Sequence, residues 1–147
     1  LALKDLLGDD AFKLVLQGYM DRWHGKHPMP WDFFYSINDI SGTNLNWFWK
    51  AWFFEKRVPD LSIDKVDISD GKISITIKNT GDLPVPLDLL ITFKDETTEH
   101  IHYSAATWKD SHTITIAIKT IKKVDHINLG NDYIPDINKA NNFLILN

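Results

Sequence analysis

Pro59 separates two segments of this chain that differ in their hydrophobic periodicity. Before it, apolar and aromatic residues recur every three or four positions, which is typical of amphipathic helices. After it, apolar and polar residues alternate, which is typical of half-buried strands. The sequence therefore predicts an α+β protein with a helical segment of about three helices over residues 1–58 and a β-sandwich over residues 59–147.

The first two long helices of the helical segment have recognisable ends. Asp9 and Asp10 are good N-cap residues, and apolar residues at helical spacing follow them as far as Trp23. Gly25 then supplies a stop signal. Pro30 suits the first position of the next helix, because a proline there loses no hydrogen bond, and Gly42 is predicted to end that helix.

The third helix is predicted to start at Thr43 as its N-cap, and it is apolar on two sides. One side carries a continuous stripe formed by Leu45, Phe48, Trp49, Trp52 and Phe53. The opposite side carries Trp47, Ala51 and Phe54. We therefore expect this helix to contact two different bodies and to leave an apolar surface through which the chain docks or self-associates.

The strand segment alternates in seven short stretches separated by turn residues. The first two stretches flank Asp70-Gly71, which is a hairpin signal. The others are predicted at Leu87–Phe93, around Ile101, at Ile114–Ile118, around Ile127 and at Phe143–Leu146. This spacing favours a two-sheet antiparallel sandwich of immunoglobulin-like or fibronectin-like kind.

Composition excludes several functions. The formal net charge is -4 and the 16 basic residues are dispersed, so the chain offers no cationic surface for nucleic acid. Without cysteine it cannot form disulfides or use a thiol nucleophile. No apolar run approaches the roughly 20 residues of a membrane span. The sequence does not indicate a compartment.

The histidines give weak metal signals. His24 and His27 have the spacing H-x-x-H, but no glutamate accompanies them as in a helical zinc motif, so a surface pair is predicted. His100 and His102 project from one strand face and can bind a metal only if a third ligand approaches. His126 is the candidate third ligand. We predict no metal site and solvent-facing histidines.

The polar stretch near the end of the chain also lacks a full binding motif. Its side-chain oxygens slightly resemble the start of a calcium loop, but the glycine and the distal glutamate of such a loop are missing. Turns capped by Asx side chains explain the stretch more simply. The residues concerned are Asp136, Asn138, Asn141 and Asn142. No G-x-S-x-G motif or phosphate-binding glycine loop is present, so no catalytic or cofactor-binding residue is predicted.

The order of residues in the helical segment resembles the end of the catalytic domain of the gluzincin zinc aminopeptidases, the family that includes aminopeptidase N and leukotriene hydrolase. The matching residues are Tyr19, Trp23, His27-Pro28, Pro30-Trp31-Asp32-Phe33, Ser41-Gly42-Thr43-Asn44-Leu45, Phe48, Trp52 and Pro59. In that family such helices lead into a β-sandwich domain. The stretch from Pro135 to Asn142 is similar to the end of that sandwich in many bacterial members.

This resemblance implies a structural role. The zinc-binding His-Glu-x-x-His motif, the distal glutamate ligand and the catalytic tyrosine of the family would all precede Leu1, and residues 1–7 have the pattern of the last turns of a helix. Neither Tyr19 nor Tyr35 is predicted to be that tyrosine. The chain is expected to be inactive alone, with zinc and the peptide substrate bound by the rest of the catalytic domain, which would be its partner.

The alternative is a non-catalytic β-sandwich module that binds or scaffolds a protein or glycan. An exposed aromatic platform would favour it, and Trp108 is the only tryptophan of the strand segment.

Overall fold

The computed structural model describes residues 1–146, and the chain divides into two compact units, Leu1–Lys56 and Arg57–Asn147. We call them the helical unit and the strand unit. Within the described residues the strand unit contains seven strands, all antiparallel within two sheets. The predicted α+β class is therefore confirmed. No helix among residues 1–146 has the length and apolar character needed to cross a bilayer.

The helical unit consists of four helices, the last of which widens into a π-helical turn. They are α1 (Ala2–Leu7), α2 (Asp9–Trp23), α3 (Pro30–Ser41), α4 (Asn46–Trp49) and the π turn (Lys50–Phe54). α2 packs against α3. The Trp23 indole N–H donates to the buried Ser36 hydroxyl at 3.0 Å, and Arg22 pairs with Asp39 at 2.6 Å.

The predicted start of α2 needs a small correction. Gly8, with φ 80°, is the N-cap residue, while Asp9 and Asp10 lie in the first helical turn. Their carboxylates still favour this end of the helix, because the unpaired N–H groups there carry partial positive charge. At the other end His24 is the C-cap residue and Gly25 follows it with φ 71°, so the predicted stop at Gly25 is confirmed.

The ends of α3 follow the prediction. Pro30 occupies the first turn, and the Asp32 carboxylate accepts the backbone N–H of Met29 at 2.7 Å. Gly42 ends the helix in the left-handed conformation, with φ 65°.

The third predicted helix begins later than expected. α4 starts after Leu45, so the prediction that Thr43 is its N-cap is wrong. The Thr43 hydroxyl instead bonds to the backbone carbonyl two residues earlier. Asn38 of α3 accepts the backbone N–H of Leu45 at 3.3 Å and the indole N–H of Trp49 at 2.9 Å. The start of α4 is therefore stabilised by hydrogen bonds from Leu45 and Trp49 to Asn38 of α3.

The strand unit has a three-stranded sheet and a four-stranded sheet. The strands are β1 (Leu61–Ser69), β2 (Lys72–Asn79), β3 (Leu87–Phe93), β4 (Thr98–Tyr103), β5 (Thr113–Lys119), β6 (Val124–Leu129) and β7 (Phe143–Ile145). Their orders are β1-β2-β5 and β4-β3-β6-β7. The predicted Asp70-Gly71 hairpin joins β1 to β2. Alternate apolar residues of β2 and β3 are fully or almost fully buried, as half-buried strands require.

The turn between β3 and β4 holds a carboxylate with a low pKa. The pKa of Asp95 is lowered to about 2, first by the Thr97 hydroxyl and then by the Lys122 ammonium, which lies 2.9 Å from Asp95 Oδ2. Both groups favour the ionised carboxylate. Because the folded pKa lies below the ordinary value of 3.8, the stabilisation is complete above about pH 4 and is lost as the pH falls towards about 2.

Thr97→Val is expected to raise the pKa of Asp95 from about 2 towards 3.8, because valine cannot donate a hydrogen bond. Carboxyl chemical shifts followed by NMR during an acid titration would measure this midpoint. Thr98→Val is the matched control, since Thr98 is not among the groups that lower this pKa. An unchanged midpoint in Thr97→Val would contradict the assignment.

Candidate functional site

The helical unit exposes a cluster of aromatic rings, which we call the aromatic surface: Trp31, Phe53 and Phe54. Their side chains are 52%, 60% and 51% exposed. The rings of Trp31 and Phe54 are stacked, with centroids 4.8 Å apart. Phe34 lies beneath them and is buried. These exposed rings are therefore a candidate interaction surface.

The predicted two-sided character of the third helix is only partly observed. Leu45, Phe48 and Trp49 of the predicted stripe are buried, but Phe53 is exposed, and Ala51 from the opposite side is buried. The residues after Trp49 form the π turn, whose i to i+5 spacing rotates side chains away from their α-helical positions. A helical projection with α geometry therefore misplaces them.

The strand unit brings three polar side chains to Asp88 on β3, and we call these four residues the Asp88 cluster. Asp88 is only 7% exposed. Its Oδ1 atom lies 2.8 Å from Nδ1 of His102 and 3.2 Å from Nε2 of His100, both on the neighbouring strand β4. Its Oδ2 atom accepts the side-chain amide of Asn131. Because a carboxylate oxygen accepts hydrogen bonds, His102 donates its Nδ1–H to Asp88, and Nε2 of His100 lies at ion-pair distance from the same oxygen.

The third predicted metal ligand is not brought to this cluster. His126 lies on β6, and β3 separates β6 from β4, so His126 is about 10 Å away across two strand spacings. His126 instead contacts Asp125 at 2.9 Å and packs on the Phe143 ring. Across residues 1–146, no group of three or more His, Asp or Glu side chains is arranged to hold a metal ion. His24 and His27 are exposed, as a surface pair should be.

The Asp88 cluster holds the imidazole of His102 in one orientation on β4, a strand at the edge of the sheet. A buried carboxylate that accepts an imidazole N–H fixes the tautomer and ring orientation of that histidine. The sequence signal for the cluster was a single acid within the apolar stretch Leu87–Phe93. Sequence analysis did not select Asp88, because its partner Asn131 lies in a distant loop.

We expect Asp88→Ala to lower the free energy of unfolding by about 1–3 kcal/mol, because two hydrogen bonds to the buried carboxylate and its contact with His100 are lost. A double-mutant cycle with His102→Ala should give a coupling energy of about 1 kcal/mol in urea denaturation. The control cycle pairs Asp88→Ala with His112→Ala. His112 contacts Asp82 instead, so no coupling is expected there. Equal coupling energies in both cycles would contradict a direct interaction between Asp88 and His102.

The polar stretch near the end of the chain has a structural role. Asp136 accepts the backbone N–H of Asn138 at 2.8 Å, which is the predicted Asx turn, and the backbone N–H of Leu61 at 3.0 Å. The backbone N–H of Leu129 donates to the carbonyl of Asn142 at 2.7 Å. A cavity of about 220 Å³ lies beside this loop. The Asp136 carboxylate is thus engaged in backbone hydrogen bonds that attach the loop to β1.

The candidate aromatic platform of the strand unit is absent at the predicted position. Trp108 is only 6% exposed, and its indole N–H donates to the carbonyl of Val85 at 2.8 Å. Trp108 is therefore a core residue. In the helical unit, Tyr19 packs edge-on against Phe33, whereas Tyr35 is exposed.

The fold is similar to part of a known peptidase. The crystal structure of Legionella pneumophila aminopeptidase A in complex with aspartic acid matches 87% of this chain with a TM-score of 0.66 and 18% sequence identity. This chain spans only 15% of the length of that aminopeptidase chain. No protein-family model matches the sequence, and neither does any curated protein. The fold class is therefore a helical unit followed by a two-sheet strand unit, as also occurs within an aminopeptidase.

Proposed function

We propose that this chain is the C-terminal structural portion of a zinc-dependent metallo-aminopeptidase that removes N-terminal residues from peptides. The observation that carries the proposal is the fold match of 87% of the chain to a portion of an aminopeptidase. The residue order from Tyr19 to Pro59 resembles that of the gluzincin family and supports the same proposal. Fold similarity alone does not define an activity, so an activity measurement is needed to test the proposal.

In this proposal the zinc and the general base belong to residues outside this chain. The described residues provide no group suited to hold the metal, so no catalytic step is assigned to them. When bound by the rest of the enzyme, the zinc would polarise the scissile carbonyl and activate water. The contribution of this chain is to brace the catalytic domain.

The aromatic surface is the part of the helical unit that would contact the rest of the catalytic domain. Trp31, Phe53 and Phe54 are each more than half exposed. Burying such rings contributes favourable free energy roughly in proportion to the area removed from water. Removing this chain from the full enzyme is therefore expected to destabilise what remains.

The test begins with the coding region upstream of residue 1. A His-Glu-x-x-His motif with a distal glutamate is expected there. The long protein should then hydrolyse an amino-acid p-nitroanilide in a zinc-dependent reaction, whereas residues 1–147 alone should not. Zinc-dependent hydrolysis by the 147-residue chain alone would refute its structural role. An upstream region without the motif would instead favour the non-catalytic binding module.

A further inference from the structure

Three of the four edge strands carry features that discourage pairing with another strand. β1 has an irregular register between Ile63 and Lys65 and carries several charged residues. β4 carries Glu99 and the histidines of the Asp88 cluster. β7 is only three residues long. Bulges, charges and short length are the usual protections of sheet edges.

β5 has neither a bulge nor a short length, and its one charge, Lys119, lies at its end. From Thr113 to Ile118 it contains only threonine, isoleucine and alanine, with no charge, proline or glycine. Its register with β2 is continuous over seven pairs. Within residues 1–146, no strand pairs with its second edge. Such a neutral, regular strand is well suited to accept another strand.

The backbone groups of β5 that face the open edge can be identified from its two ends. Asn79 N–H donates to the carbonyl of His112 at 2.8 Å, and Thr120 N–H donates to the carbonyl of Gly71 at 3.0 Å. Hydrogen-bonded pairs alternate along an antiparallel ladder. The even-numbered residues of β5, its three isoleucines, therefore bond to β2. The odd-numbered residues, from Thr113 to Lys119, direct their N–H and C=O groups to the open edge.

We propose that β5 pairs with β5 of a second copy of this chain, antiparallel about a two-fold axis at Ile116. In this register Thr115 faces Ala117 of the second copy, so the free backbone groups meet as hydrogen-bonded pairs. The isoleucines of both copies lie on the inner face, where Ile116 and Ile118 are already buried. The three-stranded sheets would join into one continuous sheet.

The charge distribution of β5 suits a second copy as the occupant. The only charged residue of β5 is Lys119, and in this register it faces Thr113 of the second copy. The two lysines therefore lie at opposite ends of the paired strands, and no like charges face each other. Shifting the register of the two β5 strands by two residues would leave every side chain on the same face of the sheet. It would, however, shorten the paired region.

The test changes the two exposed odd-numbered residues at the centre of the strand. In Thr115→Lys/Ala117→Lys, each new lysine faces a lysine of the second copy. In Thr115→Lys/Ala117→Glu, each new charge faces its opposite. The control Ser74→Lys/Thr76→Lys adds the same charge to the central strand β2. Sedimentation equilibrium of the 147-residue chain over a range of concentrations measures the dimer dissociation constant, and thermal unfolding confirms that each variant folds.

The unmodified chain is expected to dimerise, and the lysine pair to raise the dissociation constant about tenfold, since like charges directly opposite destabilise strand pairing. The lysine–glutamate variant should dimerise at least as tightly as the unmodified chain. The β2 control should change the constant much less than the lysine pair. A chain that is monomeric at all concentrations would overturn the proposal. So would a dimer that Phe54→Ser disrupts and the β5 lysine pair does not, because that dimer would form through the aromatic surface.

Discussion

Replacing Phe34 with alanine is expected to lower the free energy of unfolding of the helical unit by about 3–5 kcal/mol. Phe34 is 6% exposed and lies at the centre of the aromatic contacts of the helical unit. Its ring centroid is 5.0 Å from that of Trp49, 5.0 Å from that of Phe53 and 5.7 Å from that of Phe54. Truncation would remove these contacts and leave a cavity between α3 and the π turn.

Tryptophan fluorescence during urea denaturation measures this effect, because Trp108 is the only tryptophan outside the helical unit. Tyr35→Ala is the matched control on the same helix. Tyr35 is 65% exposed, so its loss should change the free energy of unfolding by no more than about 0.5 kcal/mol. Similar losses in the two variants would show that Phe34 is not the packing centre.

Gly81→Ala is expected to destabilise the strand unit by about 3 kcal/mol. A Cβ atom at position 81 would overlap the backbone carbonyl oxygen of Val58 and lie 3.0 Å from Cβ of Asp60. That backbone cannot easily move away. The N–H of Val58 donates to the carbonyl of Gly81 at 3.0 Å, and the N–H of Gly81 donates to the carbonyl of Asp60 at 3.1 Å.

The control for this prediction is Gly71→Ala in the β1–β2 hairpin. Gly71 has φ 72° but open space where a Cβ would be, so alanine there incurs only the backbone strain of about 1–2 kcal/mol. Thermal or chemical unfolding of both variants separates steric overlap from backbone strain. If Gly71→Ala were the more destabilising substitution, close approach of the Val58 backbone would not be the reason for glycine at position 81.

Local patterns predicted most secondary structure correctly. Pro30 and Gly42 placed the ends of α3, and Asp70-Gly71 placed the first hairpin. These signals act over a few residues, through fixed backbone angles and hydrogen bonds to near neighbours. The start of α4 was predicted wrongly, because it depends on Asn38, seven residues before Leu45.

The functional candidates were harder to predict, because they depend on contacts distant in the sequence. The sequence showed that His100 and His102 share a strand face, but not that Asp88 lies opposite them. It could not show that Trp108 bonds to Val85, 23 residues earlier, and is therefore buried. Likewise, the π turn exposes Phe53, although the α-helical pattern places it on the same stripe as the buried Leu45 and Trp49.

The sequence by itself determined the division into helices and strands, the hairpin and the exclusion of cysteine chemistry, because periodicity, turn residues and composition are local properties. Tertiary structure decided which sheet edge is open, which carboxylate is buried between histidines and why residue 81 must be glycine. Strand order and close backbone approach bring together residues far apart in the chain, and such contacts depend on how the whole unit packs.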